Sequence, residues 1–245
     1  MLKNMQINNL FSPNFNKKKR LRNTIKIAII HYTGMQSERE SLYRLCSAKS
    51  KVSSHFVINE YGKIYRLVKD NQVAWHAGKS CWAKYRNLNK NSIGIELVNK
   101  GHEFGYTNFK KKQILSLIKL LNNLKKKYKI KGKNIVGHSD VAPLRKIDPG
   151  EKFPWKKLSN NKLGIWHNYK ASFLRKYRKV KISKEKDKIK FNKNLKKIGY
   201  CFSINRKLFL SKTIKAFQRH YRQELINGRL DKECLIIADN LVKNL

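Results

Sequence analysis

The stretch NIVGHSDVAPLRKIDPG, residues 134–150, decides how this chain is read. It opens as a short β-branched run that ends on His138. Ten residues further on lies Asp148, held between Ile147 and Pro149 and closed by Gly150. A second apolar run, IKIAII at 25–30, stops in the same way on His31. Ligands of α/β proteins gather where strands end. Two histidines and one carboxylate are three protein ligands, the pattern of a catalytic zinc site that keeps its fourth position for water. No HExxH-like local motif joins them, so spacing alone does not overturn the plainer reading of each histidine as a packed core or loop residue.

Outward from these runs, HFVINEYGKIYRLV (55–68) reads as two strands around a Glu-Tyr-Gly turn. In SIGIELVN (92–99), Ile93, Ile95 and Leu97 share one face while Gly94, Glu96 and Val98 share the other. Thr107 or Asn108 is placed to cap a helix whose apolar positions Ile114, Leu117, Ile118, Leu121, Leu124 and Tyr128 follow helical spacing, with Gly132 as its stop. This order of elements predicts an α/β fold with a mixed central β-sheet flanked by helices. From Lys156 to about Lys184 the chain is basic and less regular, with one helix-like piece. NLKKIGY, TIKAFQRHYRQEL and CLIIADNLV then predict a small C-terminal three-helix domain, with NGRLD as a turn. The domains expected are an extension at 1–24, a catalytic domain at 25–180 with a basic connector from about 156, and a helical domain at 185–245. The last is of a size that can just fold alone.

The chain has 245 residues and 40% hydrophobic content, enough for a full core. Its formal net charge of +42 speaks to association and not to fold. Lysines scattered along the whole chain read as compositional bias more than as a polyanion site, and no specific nucleic-acid partner is expected. The four cysteines form no CxxC pair. Free thiols are expected, with Cys201 and Cys234 the pair to consider in an oxidising compartment. The N-terminal stretch shows no signal-peptide core, and no apolar run approaches the ~18 residues of a membrane span.

The stretches IIHYTG, VSSHFVINEYGKIYRLV, AWHAGKSCW, LNKNSIGIELVN and IVGHSDVAPLRKIDPGEKFPW resemble the type 2 N-acetylmuramoyl-L-alanine amidases, zinc enzymes that share their fold with peptidoglycan recognition proteins. The match runs in order from about Ile25 to Trp155. The IGY, TIKAFQRHYR and NGRLD segments are similar to a three-helix peptidoglycan-binding module. The resemblance implies one Zn²⁺ per chain on His31, His138 and Asp148, with Glu96 as general acid/base and Lys146 as the charge facing the developing oxyanion. Trp75 and His76 would border the substrate groove, and Lys51 and Arg86 would meet peptide carboxylates. Some relatives carry a tyrosine just before the hairpin histidine; Ser54 stands there, which leaves proton transfer to Glu96. The partner implied is peptidoglycan or a muropeptide.

Other residues read as structural. His55, His102, His167 and His220 are expected to be packed or surface residues, Trp82 and Trp155 core, and FQRHYR a helix-packing segment. The alternative on the same scaffold is a non-catalytic recognition protein, which usually lacks a metal ligand. A wall-binding module favours the cell envelope, while the missing signal peptide favours the cytoplasm. The module reading also implies that removing residues from about 185 onward weakens wall binding and spares cleavage of soluble fragments.

Overall fold

The structure is a computed structural model and describes residues 6–201 and 207–245. Its strands, in chain order, are β1 (Ile7–Asn9), β2 (Phe15–Asn16), β3 (Ile27–Tyr32), β4 (Phe56–Ile58), β5 (Ile64–Arg66), β6 (Val73–Ala74), β7 (Cys81–Trp82), β8 (Tyr85–Arg86), β9 (Ser92–Leu97) and β10 (Ile135–Gly137). The helices are α1 (Glu38–Cys46), α2 (Lys111–Tyr128), α3 (His138–Val141), α4 (Trp155–Asn160), α5 (Ala171–Arg175), α6 (Glu185–Ile198), α7 (Lys207–Tyr221) and α8 (Lys232–Lys243).

Alternation along the central strands sends side chains to two faces, and each face has its own cover. The sheet order is β1-β5-β4-β9-β3-β10. β3 runs parallel to both β9 and β10, while β4 and β5 form the antiparallel hairpin. On one face Ala28, Ile30, Ile93, Ile95 and Leu97 pack with the α2 stripe Ile114, Leu117, Leu121 and Leu124. On the other, Ile27, Ile29, Val136 and Val141 share a single cluster with Phe191, Leu195, Ile214, Phe217 and Ile237 of α6 to α8.

That shared cluster changes the expectation of a self-contained C-terminal domain. Each fully buried aliphatic side chain contributes roughly 1.5–3 kcal/mol. Uncovering these three sheet residues and Val141 of α3 is therefore comparable to the whole net stability of a domain, about 5–15 kcal/mol. The basic connector belongs to the same assembly. Arg178 reaches Glu233 through Nε and Nη2, both at 2.7 Å, and Arg175 reaches Glu224 at 2.7 Å.

Several local readings are corrected. The N-terminal stretch read as an extension is built into the fold: β1 joins the central sheet beside β5, and β2 forms a separate two-stranded sheet with β6. Arg20 donates to the carbonyls of Asp70 and Ser92 at 3.0 and 2.7 Å. The cap of α2 is Lys110, not Thr107 or Asn108, because Thr107 is engaged through its carbonyl by Asn99 Nδ2 at 3.0 Å. The helix ends at Tyr128 with Lys129 in the left-handed region at φ 53°, ahead of Gly132. The connector holds two short helices, α4 and α5, where one was expected. Finally, Cys201 pairs with Cys81, with Cα atoms 6.0 Å apart, and not with Cys234. Cys234 is buried on α8 and is a free thiol, as is Cys46.

Candidate active site

Parallel pairing brings the separated motifs together at one sheet edge. In the β3–β9 register His31 lies opposite Glu96, and Gly137 of β10 lies opposite Ile30. His138, one step past Gly137, therefore arrives beside His31. The Ser139 amide donates to the Asp148 carbonyl at 2.8 Å, folding the loop so that its carboxylate returns to the same point. His31 Nδ1 lies 3.0 Å from both His138 Nδ1 and Asp148 Oδ2, and His138 Nδ1 lies 3.1 Å from Asp148 Oδ2. All three residues are buried.

The surrounding hydrogen bonds fix which imidazole nitrogens carry protons. The Ser92 hydroxyl donates to the Leu88 carbonyl at 2.6 Å, so its oxygen accepts from His76 Nε2 at 3.2 Å. His76 Nδ1 is then an acceptor for His31 Nε2 at 3.0 Å, which leaves His31 Nδ1 as a bare lone pair. His138 Nε2 faces the Ala77 carbonyl at 3.3 Å and must carry its proton there, leaving Nδ1 bare as well. Two lone pairs and a carboxylate oxygen thus face one another in a buried site. They repel unless a cation sits among them, and this donor set and nitrogen pattern fit zinc. Burial, together with neighbouring His138, lowers the His31 pKa to about 4, which keeps it neutral.

Glu96 stands apart from this trio. Its Oε2 is buried without a hydrogen-bond partner. Burial, reinforced by the Asp148 charge, pushes its carboxyl well above the usual carboxylate range, against the pull of Lys146. Such a group exchanges protons nearer neutrality than an exposed glutamate does.

Comparison with known proteins agrees with this geometry. Residues 21–151 match the family described as N-acetylmuramoyl-L-alanine amidase. The chain belongs to that family. It is 34% identical over 233 residues to the N-acetylmuramoyl-L-alanine amidase AmiD of Escherichia coli strain K12, covering 89% of this chain and 83% of the relative. It is also 41% identical over 108 residues to the 1,6-anhydro-N-acetylmuramyl-L-alanine amidase AmpD of Haemophilus influenzae, covering 44% of this chain and 56% of that one. The solved complex of E. coli AmiD with anhydro-N-acetylmuramic acid-L-Ala-D-gamma-Glu-L-Lys superimposes with a TM-score of 0.79 at 33% identity, covering 94% of this chain and 92% of that one. AmpDh3 of Pseudomonas aeruginosa gives a TM-score of 0.79 at 28% identity, covering 96% and 98%.

Around the amidase centre lies a cleft of about 600 Å³ lined by His31, Trp75, Glu96, His138, Lys146 and Asp148. Of the residues expected to border it, Trp75 is in the wall, its indole nitrogen donating to Asn16 Oδ1 at 2.6 Å. His76 also touches the cleft, but its hydrogen bonds are spent behind His31. Gly94 makes room for it: a Cβ there would lie 2.4 Å from His76 Cγ. Lys51 and Arg86 are not brought to the cleft. Arg86 lies on the β8 ribbon, bonded to the carbonyls of Ala83 and Tyr85, and lines a separate groove. The basic side chains that line the cleft beside Lys146 are Arg44, on the exposed face of α1, and Arg145. Sequence reasoning missed both, since nothing in the pattern of α1 marks Arg44 as facing the centre. Arg145 donates to the carbonyls of Ala77 and Lys79, holding the AWHAG loop against the His138 arm.

The residues read as structural are so placed. His55 is buried and accepts from the Gly94 amide at 3.0 Å. Trp82 and Trp155 are buried, as are His167 and His220. His102 meets Tyr32 and Glu151 at the rim. Among the described residues no helix is long and apolar enough to cross a membrane.

Proposed function

We propose that this amidase is a one-zinc hydrolase cleaving the amide between the lactyl group of N-acetylmuramic acid, its anhydro form included, and L-alanine. The observation that carries the reading is the meeting of His31 Nδ1, His138 Nδ1 and Asp148 Oδ2 beside Glu96, whose Oε2 is buried without a hydrogen-bond partner. When bound by His31, His138 and Asp148, zinc would polarise the scissile carbonyl and acidify a water. Glu96, its proton affinity raised by burial, takes the proton of the attacking water and returns it to the departing alanine nitrogen. Lys146, in the cleft wall, supplies fixed positive charge for the tetrahedral oxyanion. Trp75 forms part of the wall, and Arg44 is the cation best placed for a carboxylate of the stem peptide.

The alternative, a non-catalytic recognition protein, has no observation in its favour, because every ligand and Glu96 are present. Chelator-stripped protein is expected to lose hydrolysis of a soluble muropeptide and to recover it with about one equivalent of zinc. Stripped protein at full activity, or His138→Ala at wild-type rate, overturns the reading.

For location, the cell envelope is favoured, because the Cys81–Cys201 link is of a kind that persists in oxidising compartments. The helices α6 to α8 would serve there to hold the enzyme on peptidoglycan. Alkylation of fresh cell fractions with a thiol reagent tests this: Cys81 and Cys201 are expected to resist it until reduced. Ready labelling in the native protein argues for the cytoplasm.

A further inference from the structure

Two residues before Asp140 stands His138, and Asp140 is the point where the C-terminal helices reach the metal site. The Asp140 carboxylate is buried and carries three hydrogen bonds. Its Oδ2 accepts from the Gly137 amide at 2.8 Å and from His220 Nδ1 at 2.7 Å, and its Oδ1 accepts from the Tyr200 hydroxyl at 2.6 Å. The first bond closes the turn that carries His138. The other two come from α7 and from the end of α6, eighty and sixty residues away in sequence.

Both donors are themselves held in place. His220 lies flat on Trp155, with ring centroids 3.8 Å apart and planes 16° from parallel. Tyr200 meets Trp82 edge-on at 5.0 Å and is flanked by Gly199 and Cys201. A Cβ on Gly199 would come within 2.4 Å of the Trp82 ring, and Cys201 is bonded to Cys81. The turn below is equally tight: a Cβ on Gly137 would lie 2.7 Å from Pro149 and 3.2 Å from Trp155. Pro149 follows the ligand Asp148. One carboxylate therefore ties together the arm of His138, the arm of Asp148 and two helices of the C-terminal region.

We propose that Tyr200 and His220 are positioning residues of the amidase reaction. From the C-terminal helices they fix Asp140, and through Asp140 they aim His138 at its ligating position. On this view the C-terminal helices are a part of the active site and not only an anchor for the wall. A buried carboxylate with a donor removed seeks another partner, and the element bonded to it that would shift with it is the turn bearing the ligand.

The inference rests on the zinc reading above, and the test separates the two. In full-length protein, zinc affinity is measured by competition with a chromophoric chelator, alongside kcat and KM on a soluble anhydro-muropeptide at saturating zinc. Asparagine at 220 keeps a donor near the position of Nδ1 and loses the ring stack, whereas phenylalanine keeps the stack and loses the donor. His220→Phe is expected to lose about tenfold in zinc affinity and in kcat with KM within about twofold, while His220→Asn stays within about threefold of wild type in affinity. Thermal stability should run the other way, because the stacked ring is kept only in the phenylalanine variant. Losses that follow thermal stability instead, or that are equal in the two variants, overturn the proposal. Tyr200→Phe removes one hydroxyl and decides the matter if a His220 variant does not fold: a loss of about threefold is expected, and wild-type affinity and kcat count against the proposal. A wild-type chain that takes up no zinc would remove the zinc reading itself, a result visible without any variant.

Discussion

His31 and His138 reach the same point by different routes. His31 is an ordinary strand residue, and side chains behind it set its orientation: His76 and then Ser92, both held by the sheet and its adjoining turn. His138 stands at the start of a four-residue helix, and its supports are the Ala77 carbonyl and a turn tied to α7 through Asp140. The strand route is short and rigid. The loop route is long and borrows its stiffness from the C-terminal helices. A ligand on a strand inherits its place from backbone pairing, whereas a ligand on a loop needs partners from elsewhere in the chain.

The largest effect expected separates chemistry from metal holding on the strand side. Glu96→Gln should lower kcat by about 10²- to 10⁴-fold with zinc affinity retained, because it removes the proton carrier and touches neither route. The acid limb of the wild-type pH–rate profile should lie above the ordinary carboxylate range and vanish in the variant. The same substitution should stabilise the metal-free protein. With its pKa raised by folding, the carboxylate destabilises the fold as pH climbs past about 4 and costs nothing below that. Melting curves of metal-free wild type and variant should therefore diverge toward neutral pH and converge in acid. A constant gap across pH breaks this assignment.

A smaller effect sharpens the strand route itself. Ser92→Ala deletes the acceptor that fixes the His76 tautomer, and a loss of about tenfold in zinc affinity is expected. Its failure to change affinity would place the orientation of His31 in the backbone alone. The smallest effect concerns the cleft beyond both ligands. Arg44→Ala should raise KM for a stem-peptide substrate about two- to fivefold at unchanged kcat, the scale of one exposed charge pair, with Arg86→Ala silent. Equal effects at both positions would mean that the cleft assignment is wrong.

How much was legible in advance follows the range of the forces involved. The alternation of SIGIEL put Glu96 opposite the stripe Ile93, Ile95 and Leu97, and the structure keeps it there. The α2 stripe is also as its spacing implies, since periodicity is a local consequence of backbone geometry. The errors fall where a distant partner intervenes. Thr107 lost its capping role to a bond from Asn99, and residues 7–9 became a strand because β5 offered an open edge. Cys201 found Cys81 across 120 residues, a pairing with no local signature.

The sequence by itself determined the chemistry on offer: the ligand types, the proton carrier, the apolar periods and the resemblance that joins them. Only the tertiary structure decided three further things. It placed His76 where the cleft wall meets the back of His31, with its ring nitrogens bonded to His31 and Ser92, and it put Arg44 in the cleft in place of Lys51 and Arg86. It also made α6 to α8 part of the core that carries His138. The reason is physical. Periodicity and residue chemistry belong to neighbouring positions, whereas a tautomer, a cleft wall and a shared core are properties of groups that meet only when the chain has folded.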